Sequence, residues 1–165
     1  MDNILVLGGA GFMGCNLLER LAIKKDINIY STYYKTTPNI IAKNITYTHI
    51  NLISDDLNEL FHGKDIVFHF ANRLSTYSIL QKFPNGPIID NTLLNMKVLQ
   101  AVLETKVKHF VWLSSITGYP PNKNLDETKY FNGDLMGLYK GVGWMSRYYE
   151  KVLELVGVGY RAAIK

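Results

Sequence analysis

The chain has 165 residues, 47% of them hydrophobic and 12% aromatic, and 18 Lys and Arg against 14 Asp and Glu leave a net charge of +4. That length supports one domain with a core of its own, and the composition excludes a disordered or fibrous chain. The basic excess is small and scattered, so no nucleic-acid partner is indicated, and a lone cysteine, Cys15, excludes an internal disulfide. The short apolar run at residues 3–7 is predicted to be a strand buried on both faces. Residues 12–23 carry apolar side chains at 13, 17, 18 and 21, a helical spacing. Residues 27–33 and 45–50 read as strands, separated by a loop at 35–44 that contains Pro38. A short helix is expected over 54–60 with Ser54 as its N-cap, and a strand over 65–70. Residues 73–86 are less regular and run into a loop at 83–87. A helix at 88–105, a strand at 108–114 and a polar loop at 118–133 with Pro120-Pro121 follow. The remaining segments are a second long helix over 135–156, weakened by Gly137, Gly141 and Gly143, and a last strand at 159–165.

This order, β-α-β-β-α-β-α-β-α-β, implies a doubly wound α/β domain with a mostly parallel sheet and helices on both faces. No internal repeat is present. The N-terminus has no basic segment, and no apolar run is long enough for a membrane helix, so a cytoplasmic location is expected. The run 137–143 is not a membrane packing motif, because Lys140 and Arg147 accompany it.

Gly8, Gly11 and Gly14 have the spacing G-x-x-G-x-x-G between the first strand and the first helix. Such a turn brings backbone N–H groups and the positive end of a helix dipole to a pyrophosphate, with Phe12 and Met13 in the first helical turn. Four further segments stand in order. They are Val67-Phe68-His69-Phe70-Ala71-Asn72, the helix opening from Asn91 to Leu99, Val111-Trp112-Leu113-Ser114-Ser115-Ile116-Thr117-Gly118-Tyr119, and Leu125-Asp126-Glu127. Together they resemble the extended short-chain dehydrogenase/reductase family, in particular its NAD-dependent nucleotide-sugar epimerases and dehydratases, over essentially the whole chain. The resemblance implies a single Rossmann-like domain over residues 1–165 that lacks a complete C-terminal substrate domain. It also implies NAD or NADP as cofactor and a nucleotide-sugar as substrate, oxidised transiently at a sugar carbon. The cofactor-binding positions it implies are Gly8, Gly11, Phe12, Met13, Gly14, Thr32, Lys35, Asn51, Leu52, Phe70, Ala71, Asn72, Asn91 and Ser114, with Ser115 as the catalytic serine.

Three departures accompany the resemblance. No Asp or Glu stands between residues 27 and 54, so the ribose-binding acid is absent. Thr32 takes its place and Tyr33-Tyr34-Lys35 follow, which leaves NADP open beside NAD. Asn51-Leu52 replaces the usual Asp-Leu beside the adenine. Second, the family's Tyr-x-x-x-Lys pair is broken in every register. Tyr139 would pair with Gly143, Lys140 with Met136, and the best-matching stretch places Val142 and Ser146 at the two positions. Tyr119 and Lys123 have the spacing, but Pro120-Pro121 between them forbids a helix. Tyr139 and Lys140 are the nearby substitutes. Third, the family's members are about twice as long.

These departures leave three readings open: an enzyme of the group, a catalytically silent dinucleotide-binding module or the N-terminal part of a longer enzyme, and an interaction protein that dimerises through the 135–156 helix. Trp144, Tyr148, Tyr149 and Leu153 lie at helical spacings there, as core or interface. His49, His62, His69 and His109 show no ligand spacing, so no metal is expected, and Cys15 is expected to be buried and inert.

Overall fold

The computed structural model describes residues 2–73, 76–121, 125–135 and 137–157. Its sheet contains β1 (Asp2–Leu7), β2 (Ile27–Tyr33), β3 (Ile45–His49), β4 (Ile66–His69) and β5 (His109–Trp112) in the order β3-β2-β1-β4-β5. Every pairing is parallel. The chain runs outward from β1 to β3, then crosses back to lay β4 on the other side of β1. The carboxyl ends of β1 and β4 therefore flank the point where strand order reverses, which is where open α/β sheets form their ligand crevice. The predicted strand at 159–165 lies outside the described residues.

Alternation along β1 feeds two cores. Ile4 and Val6 face α1 (Phe12–Ala22), where Leu18 and Leu21 meet them with Ile27 and Ile29 of β2. Leu5 and Leu7 face the opposite layer, built from α2 (Asn58–Phe61), α4 (Gly86–Glu104) and α5 (Lys140–Val156). There Val98, Leu99 and Val102 of α4 and Tyr149 and Leu153 of α5 close over Val67, Phe110 and Trp112. The Tyr149 ring meets Trp112 edge-on at 4.8 Å, and its hydroxyl donates to the Asn95 carbonyl at 3.0 Å.

Several boundaries differ from expectation, each for a local reason. Ser54 caps nothing; its hydroxyl donates to Asp55 at 2.7 Å, and α2 begins only at Asn58. The stretch 73–86 contains a helix, α3 (Tyr77–Lys82), whose N-cap Thr76 accepts from Ile79 N–H. Pro87 lies within the first turn of α4 and not in a loop, because an opening turn needs no N–H from it. A 3₁₀ turn, Ile116–Gly118, leads into the 118–133 loop, and a second, Glu127–Lys129, lies within it. Finally α5 starts at Lys140 and not at 135, because Gly137 adopts φ 73°. Gly141 and Gly143 are tolerated inside it because the helix packs tightly there: a Cβ on Gly143 would strike the Thr117 carbonyl oxygen and lie 2.6 Å from Leu135.

Candidate functional site

The turn after β1 is built by glycines that the fold itself demands. Gly8 sits at φ 81°, and a Cβ there would lie 2.8 Å from Ala71 N, where the ends of β1 and β4 meet. A Cβ on Gly9 would overlap the Ser31 hydroxyl of β2, and one on Gly14 would strike the Gly8 carbonyl oxygen and lie 2.6 Å from Gly9 Cα. Gly9 did not figure among the sequence candidates, although the Gly8-Gly9 doublet marked it. Gly11 differs from these three. Its φ is −84°, and a Cβ would meet only the Gly8 carbonyl oxygen, at 3.3 Å. Gly11 is the N-cap of α1, no side chain caps the helix, and no acid stands in its first turn. Phe12 and Met13, both exposed, open the helix, and no side chain caps its first N–H groups.

Thr32 does not line the surface. It is buried, its Oγ1 accepts from Gly8 N–H at 3.1 Å, and its carbonyl accepts from Gly9 N–H at 2.9 Å. It therefore braces the glycine turn from behind, and the exposed rim begins with Tyr34 and Lys35. Leu52 is likewise a core residue under β1 and α4, not a surface contact. Asn51 turns its Oδ1 to Ile53 N–H at 3.1 Å and shapes the loop after β3. Cys15 is only partly buried, with its thiol 3.1 Å from Asn39 Oδ1.

Phe70 continues β4 by donating its N–H to the Leu7 carbonyl at 3.0 Å, which carries Ala71 against Gly8 and leaves Asn72 exposed. Asn91 is buried and clamps the same loop from α4: its Oδ1 accepts from Arg73 N–H at 2.7 Å and its Nδ2 donates to Arg73 O at 3.1 Å. One turn later, Asn95 receives the Nε2–H of His69 at 2.9 Å. Asn91 and Asn95, at i and i+4, share the buried face of α4 with Leu94, Val98 and Leu99.

His69 is fully buried, its Nδ1 has no hydrogen-bond partner, and burial lowers its pKa from 6.5 to about 4. Lowering on folding favours the neutral ring. Stability is then complete above pH 6.5 and lost as pH falls toward about 4, by about 3 kcal/mol in all. Asp65 titrates below that window, held under the ordinary carboxylate range by the Asn3 N–H and the Lys108 ammonium. Melting temperatures measured at about pH 7.5 and about pH 5 should therefore fall more steeply in the native chain than in His69→Gln; equal slopes would remove His69 as the cause.

Beyond β5, the hydroxyl of Ser114 is spent internally. It donates to the buried Glu150 carboxylate and meets the Tyr130 hydroxyl at 3.1 Å, while Tyr130 also reaches the Ser115 carbonyl at 3.3 Å. Burial pushes the Tyr130 phenol above its ordinary range, and its hydroxyl braces Ser114 and Ser115. The Ser115 hydroxyl caps the following 3₁₀ turn, 2.8 Å from Thr117 Oγ1. Arg147, buried on α5, donates from three nitrogens to the carbonyls of Gly118, Gly133 and Asn132 at 2.8, 2.8 and 2.9 Å. It ties both ends of the 118–133 loop to α5. Neither Arg147 nor Tyr130 and Glu150 figured among the sequence candidates. Tyr139 occupies the N-cap position of α5 and packs against Leu80, Val142 and Met145, while Lys140 is exposed. Neighbours in one turn, they do not share a face as an i, i+4 pair would.

The sequence model described as the NAD dependent epimerase/dehydratase family matches residues 4–136. The chain belongs to that family. Among curated relatives, an uncharacterized UDP-glucose epimerase of Bacillus subtilis is 29% identical over 128 residues, 70% of this chain and 40% of its own length. A UDP-N-acetyl-α-D-glucosaminuronate decarboxylase of Bacillus cytotoxicus is 27% identical over 165 residues, 94% of this chain and 49% of its own. The solved UDP-Glc/GlcNAc 4-epimerase of Campylobacter jejuni shares the fold, with a TM-score of 0.79 at 21% identity, covering 98% of this chain and 52% of that one. The chain thus spans half or less of the length of these curated relatives.

Val142 and Ser146, which the best-resembling register would set at the Tyr-x-x-x-Lys positions, lie in α5, beyond the matched residues. Val142 is buried against Leu80 and Met145, and the Ser146 hydroxyl donates back to the Val142 carbonyl at 3.0 Å. Both are closed into the helix packing, and neither carries an acid or a base.

Proposed function

We propose that this chain binds a nicotinamide adenine dinucleotide, NAD(H) or NADP(H), at the carboxyl ends of β1 and β4, and that it lacks the proton-transfer pair of its family. The observation that carries this is the asymmetry of the glycine turn. Three glycines are required by internal packing, whereas Gly11 leaves open the space beside an uncapped helix start with no acid in its first turn. That is a cradle a Cβ would narrow, with N–H groups and helix dipole directed at an anion, so the residues fit the pyrophosphate of the group. Phe12 and Met13 would offer N–H groups, Ala71 and Asn72 would form the opposite wall, and Asn91 would hold that wall in place. When bound, such a dinucleotide supplies hydride transfer at a substrate carbon. Nothing at positions 142 or 146 can move the accompanying proton, and Ser115 is left with Thr117 as its partner. A nucleotide-sugar ligand rests on the names of the relatives alone and belongs to this proposal only as a ligand without turnover.

A homodimer is supported by a separate feature. Trp144 and Tyr148 of α5 are exposed while Tyr149 and Leu153 are buried, and Ile89, Leu93 and Met96 form an exposed stripe on the adjoining α4. Exposed apolar side chains on two helices that pack together suit an interaction surface. Sedimentation of the chain with NADH or NADPH reads both points together. Nicotinamide absorbance should move with the protein, at the mass of two chains, and stay unchanged when UDP- or GDP-sugars are added. Absorbance left at the meniscus with both cofactors would overturn the binding proposal, a one-chain mass would overturn the dimer, and loss or gain of absorbance on adding a sugar would overturn the absence of chemistry.

A further inference from the structure

We propose that Asn85–Gly86, at the start of α4, is a site of spontaneous covalent modification, where the asparagine closes on the following backbone nitrogen and becomes aspartate or isoaspartate. The chain has two Asn-Gly pairs, 85–86 and 132–133. Glycine after asparagine leaves the peptide nitrogen unshielded by a side chain, so ring closure meets least hindrance at such a pair. The nitrogen of Gly86, giving its proton to solvent, forms a bond to Cγ of Asn85. The Cγ–Nδ2 bond breaks, and that nitrogen takes up a proton and leaves as ammonia. Water then opens the cyclic imide at either carbonyl, which yields aspartate or its backbone-shifted isomer.

The two pairs differ in how the fold holds them. The Asn132–Gly133 pair is pinned: Asn132 N–H donates to the Lys129 carbonyl at 3.0 Å, and the Asn132 and Gly133 carbonyls accept from the Arg147 guanidinium at 2.9 and 2.8 Å. Asn85 is exposed, and its side chain makes no capping hydrogen bond to α4. Gly86 is the first residue of the helix, where an N–H has no intrahelical acceptor. A Cβ on Gly86 would meet only Phe83 Cβ, at 3.9 Å, so the space around the attacking nitrogen is open. With ψ of −25° at Asn85, ring closure needs the first turn to open, and the bond that yields is Ile89 N–H to the Asn85 carbonyl, 3.0 Å. Helix ends open at small cost, whereas the other pair must break its contacts to a buried arginine. The aspartyl product suits the position. No acid stands in the first turn of α4, and Pro87 has no N–H, so an aspartate at 85 adds negative charge at the helix start and can accept from Ile88 N–H. The helix so altered is the one whose Asn91 clamps the loop after β4.

The test is to incubate the full chain at mildly alkaline pH, with and without urea, and to follow its peptides by mass and by isoaspartyl methylation. In the folded chain, the peptide containing residue 85 should gain the mass of an amide-to-acid exchange about tenfold faster than the one containing residue 132. In urea the two rates should converge, because both pairs then stand in open chain. Gly86→Ala, whose methyl fits the open space and favours the helix, should abolish most of the change at 85 while melting at or above the native temperature. Asn85→Asp should also melt at or above it. Equal rates at 85 and 132 in the folded chain, or no isoaspartate at 85, would overturn the proposal. A rate at 85 unmoved by Gly86→Ala would overturn ring closure through that nitrogen, and a lower melting temperature for Asn85→Asp would overturn the capping role of the aspartyl product.

Discussion

Gly14→Ala is expected to lower the melting temperature by roughly 6–12 °C and to sharply reduce soluble yield, whereas Gly11→Ala, three residues earlier in the same turn, should melt near the native value. The difference lies in what each missing Cβ faces. At Gly14 the added atom meets two backbone groups, the Gly8 carbonyl and Gly9 Cα, and neither can rotate away. Only a shift of α1 relieves the contact, and that withdraws Leu18 and Leu21 from Ile4, Val6 and Ile29. Overpacking of that kind costs about 3 kcal/mol, a large part of the stability of a domain this size. At Gly11 the only neighbour is the Gly8 carbonyl at 3.3 Å, which yields by a few tenths of an ångström, and φ is −84°. A methyl there is tolerated by the fold but stands beside the α1 N–H groups, so dinucleotide affinity should fall by about tenfold or more. Melting curves with and without cofactor separate the two effects, since only a protein that binds is stabilised by ligand. Gly11→Ala with native affinity would remove the role assigned to Gly11.

The second large effect is expected at Arg147, buried on α5. Arg147→Ala should destabilise the chain by about 3–5 kcal/mol. The residue is 3% exposed, and its guanidinium satisfies three carbonyls on two separate parts of the 118–133 loop. Removal leaves those acceptors partnerless beside an empty space, and it detaches the loop that carries Tyr130. Tyr130 fills the gap beneath Gly118, where no Cβ fits, and meets both Ser114 and Ser115. Arg147→Lys should recover only part of the loss, because one ammonium on a flexible stem cannot hold three carbonyls in a fixed fork. Urea unfolding of the three proteins measures this directly; a lysine variant as stable as the native chain would show that charge alone suffices.

Much of the sheet and the glycine turn was legible in the residues. The short runs at 3–7 and 65–70 read as strands, and glycines three apart between a strand and a helix mark a tight turn. Features with strong local punctuation were harder. Phe83-Pro84-Asn85-Gly86-Pro87 reads as a loop, yet Pro87 opens α4 and Thr76 caps a helix just before it. Gly137, taken for a weak point within a helix, lies before its start at Lys140, because a left-handed residue does not continue a right-handed helix.

The site divides along the same line. Spacing alone marked the glycine turn, the lack of Asp or Glu in residues 27–54, and the lack of a Tyr-x-x-x-Lys pair within the 135–156 segment, because each is a statement about which residue types stand at which intervals. Only the tertiary structure decided that Thr32 and Leu52 face inward, that Asn91 serves the β4 loop, and that Ser114 is bound to Tyr130 and Glu150, 16 and 36 residues away. The physical reason is that a hydroxyl or an amide carries no preference for one partner until packing removes water from all the others. Which polar groups remain free for a ligand is settled by that competition across the folded chain.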